Sequence, residues 1–258
     1  MQDRYGPWAV VVGASDGIGA AFATQLAARG LNLVLVARRA GPLEELASTL
    51  PTRTRVLTAD AGTADGVAAI AAATEDIGLL VCNAGLAPIA EFLDLSAQQH
   101  GAIIDLNVRC AALLAHAYGQ RFVARGRGGI VLLSSMASEQ GSALVAHYSA
   151  TKAYLRVLAE GLWNELRPRG VDVLAVCPGL VATPTFERER PAPPPLVPPP
   201  ISSSAVVKAS LRALGRRPVV IPGLRSRLTA WVTRPLPRAL VIRIASSQTR
   251  AIYRNRPA

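Results

Sequence analysis

Tyr148 and Lys152 are the side chains whose types and spacing most directly indicate chemistry. They are four residues apart within 148–166, a segment rich in Ala, Leu and Glu that is predicted as a helix, so both lie on one helical face. A phenol has an ordinary pKa of about 10, and a neighbouring ammonium group favours its ionised form and lowers that pKa. The pair could therefore exchange a proton with a ketone or alcohol oxygen while hydride moves at the carbon. The spacing alone is not specific, because such pairs also occur on solvated helix faces.

A pair of serines lies just ahead of this helix. The apolar run 130–133 is predicted as a buried strand, and it ends at Ser134 and Ser135. A hydroxyl at the end of that strand could hold a carbonyl oxygen next to the phenol. Apart from Lys152 the only lysine is Lys208, and every other basic residue is arginine. The choice of lysine over arginine at this position indicates that a titratable ammonium group has a function at Lys152.

A glycine-rich turn near the N-terminus has the character of a phosphate cradle. It lies between a predicted buried strand, 8–12, and a helical run, 20–29. Its residues are Gly13, Ala14, Ser15, Asp16, Gly17, Ile18 and Gly19. Glycines let the backbone approach a phosphate, and a helix N-terminus supplies free N–H groups and positive potential. The spacing Gly-x3-Gly-x-Gly differs from the commonest dinucleotide fingerprint, so a plain turn is the alternative. The strand–turn–helix context favours dinucleotide binding.

Two arginines follow the second predicted strand, 32–37. An NAD site usually has a carboxylate here for the ribose 2′-hydroxyl, whereas an arginine accommodates a 2′-phosphate. No Asp or Glu occurs from 32 to 43, and Arg38 and Arg39 come directly after the strand. The sequence therefore predicts NADP(H) as the cofactor. The alternative, a solvated loop charge, applies more to Arg39 than to Arg38.

Polar or flexible residues also follow three further predicted strands, 55–59, 78–82 and 171–176. Ligands of open parallel sheets bind outside the carboxyl ends of the strands. The residues at these ends are Asp60, Asn83, Ala84, Gly85, Pro178, Gly179 and, shortly after, Thr183.

Asn107 lies within a long helix that is predicted from a cap at Ser96 to Val123. Its neighbours in sequence are the apolar Leu106 and Val108, so the side chain is expected to be buried. A buried amide needs a hydrogen-bond partner.

Strands and helices alternate along the chain, which predicts an α/β fold. The pattern is that of a doubly wound, parallel Rossmann-type sheet of about seven strands with helices on both faces, as a single domain over 1–258. The last strand is predicted at 218–221, after a helix that begins at Ser202 or Ser203 and extends to Leu214. Residues 184–200 are proline-dense and are interpreted as an irregular substrate lid or a disordered excursion. Residues 224–258 form a basic tail that Pro235 and Pro237 divide into two helical pieces.

Composition narrows the class of protein. Residues 1–183 have a net charge of −1 and residues 184–258 of +12, so the basic balance belongs to the tail and nucleic-acid binding is not expected. Cys82, Cys110 and Cys177 have neither disulfide nor metal spacing and are interpreted as reduced thiols of a cytoplasmic protein. No signal peptide or membrane span is predicted. The three histidines lack metal-ligand partners at helical spacing, so no metal is expected.

Taken together, the motifs of residues 8–183 resemble the short-chain dehydrogenase/reductase family. The turn 13–19 is similar to the family's glycine motif, with Val12 in place of its usual threonine, and 83–85 to its Asn-Ala-Gly motif, with Cys82 in place of an asparagine. The resemblance implies a catalytic tetrad of Asn107, Ser135, Tyr148 and Lys152, with Ser134 as the alternative serine. It also implies that cofactor is bound by Gly13, Ser15, Asp16, Gly17, Ile18, Gly19, Arg38, Arg39, Asp60, Ala61, Asn83, Ala84, Gly85, Tyr148, Lys152, Pro178, Gly179, Val181 and Thr183.

The resemblance implies an NADP(H)-dependent oxidoreductase that interconverts a ketone and a secondary alcohol. The apolar residues beside the predicted lid, Leu144, Val145, Leu180 and Phe186, favour a lipid-like or acyl thioester substrate. The alternative is a regulatory or scaffold protein that binds the cofactor without turnover, and the intact tetrad argues against it. Family members are commonly homodimers or homotetramers through the helices that carry Asn107 and Tyr148.

Three interpretations of the tail are open. Its apolar residues pack on the sheet or on a partner subunit, which is favoured because each helix of a soluble fold buries one face. Alternatively, its mixture of arginine, tryptophan and aliphatic residues lies in a membrane interface, which predicts peripheral contact with anionic membranes. In the third, the arginines attract an anionic carrier of the substrate.

Overall fold

The computed structural model describes residues 1–72, 76–188 and 197–253, and it places a parallel sheet at the centre of the protein. The strands are β1 Trp8–Val12, β2 Asn32–Ala37, β3 Thr54–Thr58, β4 Ile77–Cys82, β5 Gly128–Leu133, β6 Val171–Val176, β7 Val181–Ala182, β8 Ile201–Ser202 and β9 Val219–Val220. Seven of them form the sheet in the order β3-β2-β1-β4-β5-β6-β9, and β7 pairs with β8 in a separate ribbon. The strand order reverses between β1 and β4, and a crevice for a ligand is expected at that point.

Helices cover both faces of the sheet. They are α1 Gln2–Tyr5, α2 Gly17–Ala27, α3 Ala40–Thr49, α4 Ala64–Ala72, α5 Ala97–Ile104, α6 Cys110–Arg125, α7 Ala146–Leu166, α8 Pro184–Arg188, α9 Ser203–Ala213, α10 Leu224–Thr233 and α11 Arg238–Ile252. Alternate residues of each strand enter two separate apolar clusters. One cluster includes residues of α4, α6 and α7, and the other includes residues of α2, α3 and α9. The predicted doubly wound Rossmann-type sheet of seven strands is confirmed.

Burial on both faces explains why the strands could be recognised in the sequence. A parallel strand that is covered on both sides is a continuous apolar run rather than an alternating one. The ranges predicted for β1, β2 and β6 match the structure, and those of the other four sheet strands differ at their ends by one or two residues.

The helices differ from the predictions in several places. The predicted continuous helix from Ser96 to Val123 is interrupted by a π-helical turn, Asp105–Arg109, between α5 and α6. The N-terminal residues form α1 instead of leading straight into β1. Helix α3 was not predicted. The described part of the predicted lid begins with a helical turn, α8, where irregular chain was expected, and residues 189–196 lie outside the described residues.

The basic tail forms two helices, α10 and α11, that are separated at Pro235 and Pro237, as predicted. Among the described residues, no helix is both long enough and apolar enough to cross a membrane. Residues 254–258, which include Arg254 and Arg256 of the tail, lie outside the described part of the chain.

Candidate active site

Ser135 and Tyr148 meet at the carboxyl end of β5. Ser135 follows the strand and caps a short 3-10 turn, Met136–Ser138, by accepting a hydrogen bond from the backbone N–H of Ala137 at 3.1 Å. Its side chain also makes a hydrogen bond with the phenol of Tyr148, which lies in the first turn of α7. Of the two candidate serines it is Ser135 that contacts the phenol. Ser134 is buried, and its hydroxyl donates to the Lys152 carbonyl at 2.7 Å.

Burial controls the ionisation of the phenol. It raises the pKa of Tyr148 to about 12, and the hydrogen bond with Ser135 offsets only part of this effect. Tyr253 of the tail raises the same pKa through electrostatic interaction. The expectation that an adjacent ammonium lowers the pKa below about 10 is therefore wrong for the protein without cofactor. Burial penalises the phenolate and is the largest cause of the raised pKa, and it outweighs the hydrogen bond with Ser135.

Lys152 lies one helical turn after Tyr148, and the residue is buried. Its ammonium nitrogen is 5.6 Å from the centre of the Tyr148 ring and donates to the Leu133 carbonyl at 2.6 Å. Burial lowers the pKa of Lys152 to about 8. The group is thus held by the end of β5, next to the phenol, and its charge is lost within a moderately alkaline range.

Asn107 is buried in the π-helical turn between α5 and α6, and both ends of its amide have partners. Its Oδ1 accepts from the Leu86 N–H at 2.7 Å, and its Nδ2 donates to the Leu86 carbonyl at 2.9 Å and to Thr151 Oγ1 at 3.0 Å. The expected burial and partners are confirmed. A side chain added at Gly85 would meet both Asn107 Oδ1 at 3.3 Å and Lys152 Nζ at 3.4 Å. The three predicted residues therefore surround one small space.

The turn 13–19 is built to admit a diphosphate. Gly13 and Gly17 have φ angles of +84° and +55°, and a Cβ atom at Gly19 would lie 1.9 Å from the Gly13 carbonyl oxygen. Asp16 caps α2 by accepting the Gly17 N–H at 2.5 Å. The turn therefore keeps its backbone bare at a helix N-terminus, as the binding of an anionic group requires. Ser15 and Ile18 belong to the same turn, and Ile18 faces the cavity described below.

Asn83 connects this turn to β4. Its Nδ2 donates to the Gly13 carbonyl at 2.8 Å, and the N–H groups of Asn83 and Ala84 both donate to the Val12 carbonyl. A Cβ atom at Gly17 would lie 3.0 Å from Thr183, so the residues after β6 approach the turn from the other side. Pro178 accepts the Met136 N–H at 2.8 Å, and Pro178, Gly179 and Val181 border the same cavity.

Arg38 and Arg39 lie at the carboxyl end of β2. Both are exposed, and neither side chain has a polar partner among residues 1–72, 76–188 and 197–253. Asp60 is exposed after β3 and accepts the Gly62 N–H at 2.9 Å, while Ala61 beside it is buried. These four residues follow β2 and β3, which lie at one edge of the sheet next to β1. The adenosine part of a dinucleotide would fit there. Their predicted roles as cofactor ligands stay predictions.

A cavity of about 510 Å³ opens at Tyr148, and the sequence did not predict most of its wall. Lys152, Ser135 and the turn lie at one side. The described ends of the predicted lid contribute Thr185, Phe186, Val197 and Pro198. The tail contributes residues of both of its helices and the residue after α11: Ser226, Thr229, Ala245, Gln248, Thr249, Ile252 and Tyr253.

Hydrogen bonds attach helix α11 to the loop ahead of α7. The hydroxyls of Ser142 and Thr249 are 2.7 Å apart, and Ser246 Oγ accepts the Ala143 N–H at 3.0 Å. At the exposed rim, Arg250 pairs with Glu91 at 2.5 Å. The sequence indicated two helices in the tail but not that they contact the cavity, because these contacts join residues more than one hundred positions apart.

Two histidines pair beside this site. His100 of α5 and His147 of α7 face each other with their Nδ1 atoms 2.5 Å apart, and the other ring nitrogen of His100 is 3.0 Å from the Phe92 carbonyl. Helical spacing could not reveal this pair, since the two residues are on different helices. No cluster of three metal-ligating residues occurs among the described residues.

Comparison with known proteins places this geometry in a family. The family model for short chain dehydrogenases matches residues 7–194. The chain belongs to the short-chain dehydrogenase/reductase family. A 7beta-hydroxysteroid dehydrogenase of Clostridium sardiniense is 31% identical over 233 residues, which are 88% of this chain and 89% of that protein. The protein is thus an oxidoreductase that acts on CH–OH groups and uses a nicotinamide dinucleotide of the NAD(P)(H) type.

Two solved structures of this family resemble the chain closely. One, from a study of 7beta-hydroxysteroid dehydrogenase stereoselectivity, has a TM-score of 0.87 at 28% identity and covers 95% of this chain and 98% of its own. The other is a short-chain dehydrogenase from Sphingobium yanoikuyae in complex with NADPH. It has a TM-score of 0.77 at 31% identity and covers 90% of this chain and 97% of its own.

Proposed function

We propose that this protein is an NADP(H)-dependent oxidoreductase that interconverts a ketone and a secondary alcohol on a bulky, lipid-like substrate. The observation that carries the proposal is that the Tyr148 phenol, held by Ser135, faces a cavity of about 510 Å³ lined mainly by apolar side chains. Cavities of this size bind compact organic molecules. A phenol at the wall of such a cavity is placed to exchange a proton with an oxygen of the substrate.

The residues of the chain divide the chemistry between them. Ser135 and Tyr148 hold the carbonyl oxygen of the substrate through their hydroxyls, and Tyr148 donates its proton to that oxygen during reduction. A nicotinamide cofactor, when bound, would supply hydride to the carbonyl carbon or accept it from the alcohol carbon in the reverse direction. Lys152 binds the cofactor ribose and holds positive charge behind the phenol. Asn107 keeps the π-helical turn and the segment at Leu86 in place around Lys152.

The raised pKa of Tyr148 determines the protonation state in which the phenol meets a ketone. A phenol whose pKa is about 12 stays protonated at neutral pH, so the proton needed by the developing alkoxide is already present. Oxidation of an alcohol requires the phenolate, which burial disfavours. A bound cofactor would add charge next to Lys152, and we expect this charge to change the pKa of Tyr148.

Three features support NADP(H) as the cofactor. Arg38 is exposed and free of polar partners among the described residues, no acid occurs between 32 and 43, and a structural relative was solved with NADPH. A guanidinium at this place pairs with a 2′-phosphate, whereas a carboxylate would repel it.

The polar groups of the cavity favour a substrate with a second oxygen function. Ser142, Thr249 and Gln248 line it together with apolar residues such as Val145 and Ile252. A rigid apolar body such as that of a steroid would pack against the apolar residues of the cavity, and a further hydroxyl or carboxyl group would form hydrogen bonds with the polar ones. The relative's name, 7beta-hydroxysteroid dehydrogenase, supports this class of substrate.

We also propose that the protein is a cytoplasmic homodimer or homotetramer. Large apolar side chains are exposed on the helices that carry and adjoin the tetrad: Ile104, Leu113, Tyr154 and Val157, the last with 65% of its surface exposed. Burial of such groups against a second copy would gain about 25 cal/mol for each Å².

A cofactor-consumption assay tests the proposed function. Purified protein is mixed with NADPH or NADH and a panel of ketosteroids, medium-chain ketones and 3-oxoacyl thioesters. Turnover of ketosteroids with NADPH, at a higher kcat/KM than with NADH, is the expected result. Tight NADPH binding without turnover of any member would favour the non-catalytic alternative. Faster turnover with NADH would show that the cofactor assignment is wrong.

A further inference from the structure

The large apolar residues of helix α10 face solvent, whereas a packed helix turns such residues towards the protein. At about 100° per residue, Leu224, Leu228 and Trp231 lie within about 60° of one another on one face. Their exposed fractions are 73%, 56% and 73%. The opposite face consists of small or polar residues, Ser226, Ala230 and Thr233, and it is this face that turns towards the protein. The interpretation that the tail's apolar residues pack on the sheet is therefore wrong for α10.

Arginines frame this outward face on both sides. Arg227 lies about 40° beyond Trp231 on the helical wheel, and Arg225 lies about 60° beyond Leu228, with Val232 between Leu228 and Arg225. Both arginines are exposed, and within the described part of the chain neither side chain has a polar partner. Residues 224–258 contain no acid. The surface formed by Leu224, Arg225, Arg227, Leu228, Trp231 and Val232 is called the outer face of α10 below.

Helix α11 shows that the tail can pack in the ordinary way. Its buried or half-buried residues Val241, Ala245 and Ile252 lie on one side, and Ala245 and Ile252 line the cavity. Three large apolar residues of α11 are also exposed, Leu240 at 44%, Ile242 at 37% and Ile244 at 39%, but Leu224, Leu228 and Trp231 of α10 are exposed to a greater extent. Ser226 of its inner face and the exposed Thr229 border the cavity, so α10 has the substrate site on one side and its outer face on the other.

We propose that the outer face of α10 binds the surface of an anionic membrane. An amphipathic helix of this kind lies in the interface with its tryptophan and leucines among the acyl chains and its arginines at the headgroups. Each arginine near an anionic surface strengthens binding about fivefold. The bound membrane then lies against the outer wall of the cavity, where an apolar substrate could enter from the lipid. This last step rests on the proposed function, whereas membrane binding does not.

The charge of the tail favours an anionic membrane over a second copy of the chain as the partner of the outer face of α10. Residues 184–258 have a net charge of +12, and a two-fold contact through α10 would place two such basic surfaces against each other. An anionic lipid surface is complementary to the same arginines and accommodates the leucines and tryptophan. A nucleic acid would pair with the arginines but leave the three outward apolar residues in water.

Vesicle co-sedimentation of the full chain tests the proposal. The vesicles are pure phosphatidylcholine or a mixture with phosphatidylglycerol, each at low and high salt. The wild type is expected to bind the anionic vesicles at low salt, to bind them less at high salt, and to bind neutral vesicles weakly. Leu228→Ser with Trp231→Ser is expected to abolish binding. Leu93→Ser, at a residue 90% exposed elsewhere, is the matched apolar control and should bind as the wild type does.

The role of charge has its own matched pair. Arg225→Gln with Arg227→Gln should weaken binding to anionic vesicles roughly thirtyfold, from about fivefold for each arginine. Arg29→Gln with Arg53→Gln removes the same net charge from exposed positions elsewhere on the chain and should change binding less than threefold. Trp231 supplies a direct readout, because Trp8 and Trp163 are half-buried. Its emission should shift to shorter wavelength on binding, and this shift should be absent in Trp231→Phe.

The outcomes decide the proposal in either direction. Salt-sensitive binding that is lost in both α10 variants and kept in both controls supports it. Absence of binding to anionic vesicles at low salt overturns it, as does equal binding by all variants. A smaller oligomer for Leu228→Ser/Trp231→Ser than for the wild type in light scattering would show that a second copy covers the face, and would also overturn it. Ketone turnover in detergent-free buffer reports separately on the proposed function, since none of these residues lines the cavity.

Discussion

The substitution Tyr148→Phe removes one oxygen atom from the site and leaves the ring in place. Ser135 keeps its bond to the Ala137 N–H, and Lys152 keeps its bond to the Leu133 carbonyl, so the surroundings of the ring have no reason to move. The phenol is the group that donates a proton to the substrate oxygen, and general acids of this kind contribute about 10²- to 10⁴-fold to rate. We therefore expect kcat for ketone reduction to fall by that factor, which is roughly 2.7–5.5 kcal/mol in the activation barrier.

Binding and stability should respond much less to the same change. Affinity for NADPH, measured by quenching of tryptophan fluorescence, should stay within about threefold, because no predicted phosphate or ribose contact is lost except at the hydroxyl itself. The free energy of unfolding should change by about 1 kcal/mol or less, since only one hydrogen bond, that to Ser135, is removed. The loss should thus appear in kcat and not in cofactor affinity.

Tyr118→Phe is the matched control for this substitution. Tyr118 is fully buried in α6 and donates to the Ile70 carbonyl at 2.7 Å, and it does not line the cavity. Its loss should cost about 1 kcal/mol of stability while kcat stays unchanged. The reasoning is refuted if Tyr148→Phe retains more than about a fifth of the wild-type kcat, or if Tyr118→Phe loses activity to the same degree as Tyr148→Phe.

Three further results are expected. Arg38→Gln should lower the kcat/KM ratio of NADPH over NADH by roughly 10- to 100-fold through loss of a charge-assisted bond, while Arg39→Gln should change it less. The affinity of the free protein for NADPH should fall as pH rises through about 8, since Lys152, whose pKa burial lowers to about 8, loses its charge there; titration of Lys152→Met by fluorescence should lack this slope. Gly19→Ala should lower the midpoint of thermal unfolding and abolish NADPH binding, because the added carbon would lie 1.9 Å from a carbonyl oxygen, whereas Gly161→Ala, with open space around it, should raise stability by about 0.5–1 kcal/mol.

Each of these results can fail in a recognisable way. An unchanged cofactor ratio in Arg38→Gln would remove the basis for the NADP(H) assignment. An NADPH affinity that is independent of pH between about 7 and 9.5 would show that Lys152 is not a charged ligand of the cofactor in this range. Wild-type NADPH affinity in Gly19→Ala would show that the turn tolerates a side chain and is not a close-fitting phosphate site.

The order of the elements and the family could be predicted from the sequence. Strands buried on both faces are continuous apolar runs, and the glycine turn, Asn83 and the Tyr148–Lys152 pair follow or precede them at short range. Such signals are local, since they depend on residues within about one helical turn or at one strand end. Even the burial of Asn107 could be expected from its neighbours, although the π-helical turn that places it could not, because the helix period is unbroken in the sequence.

The tertiary structure decided the rest, because it depends on contacts between distant segments. The ionisation of Tyr148 follows from how much apolar chain surrounds the phenol, and this reversed the direction expected from Lys152 alone. The tail was visible as two basic helices in sequence. Only packing determines that the inner face of α10 is Ser226, Ala230 and Thr233, and that α11 reaches the cavity through Thr249. An amphipathic pattern indicates that a helix has two faces, but which face meets the protein depends on what the other segments leave to be covered.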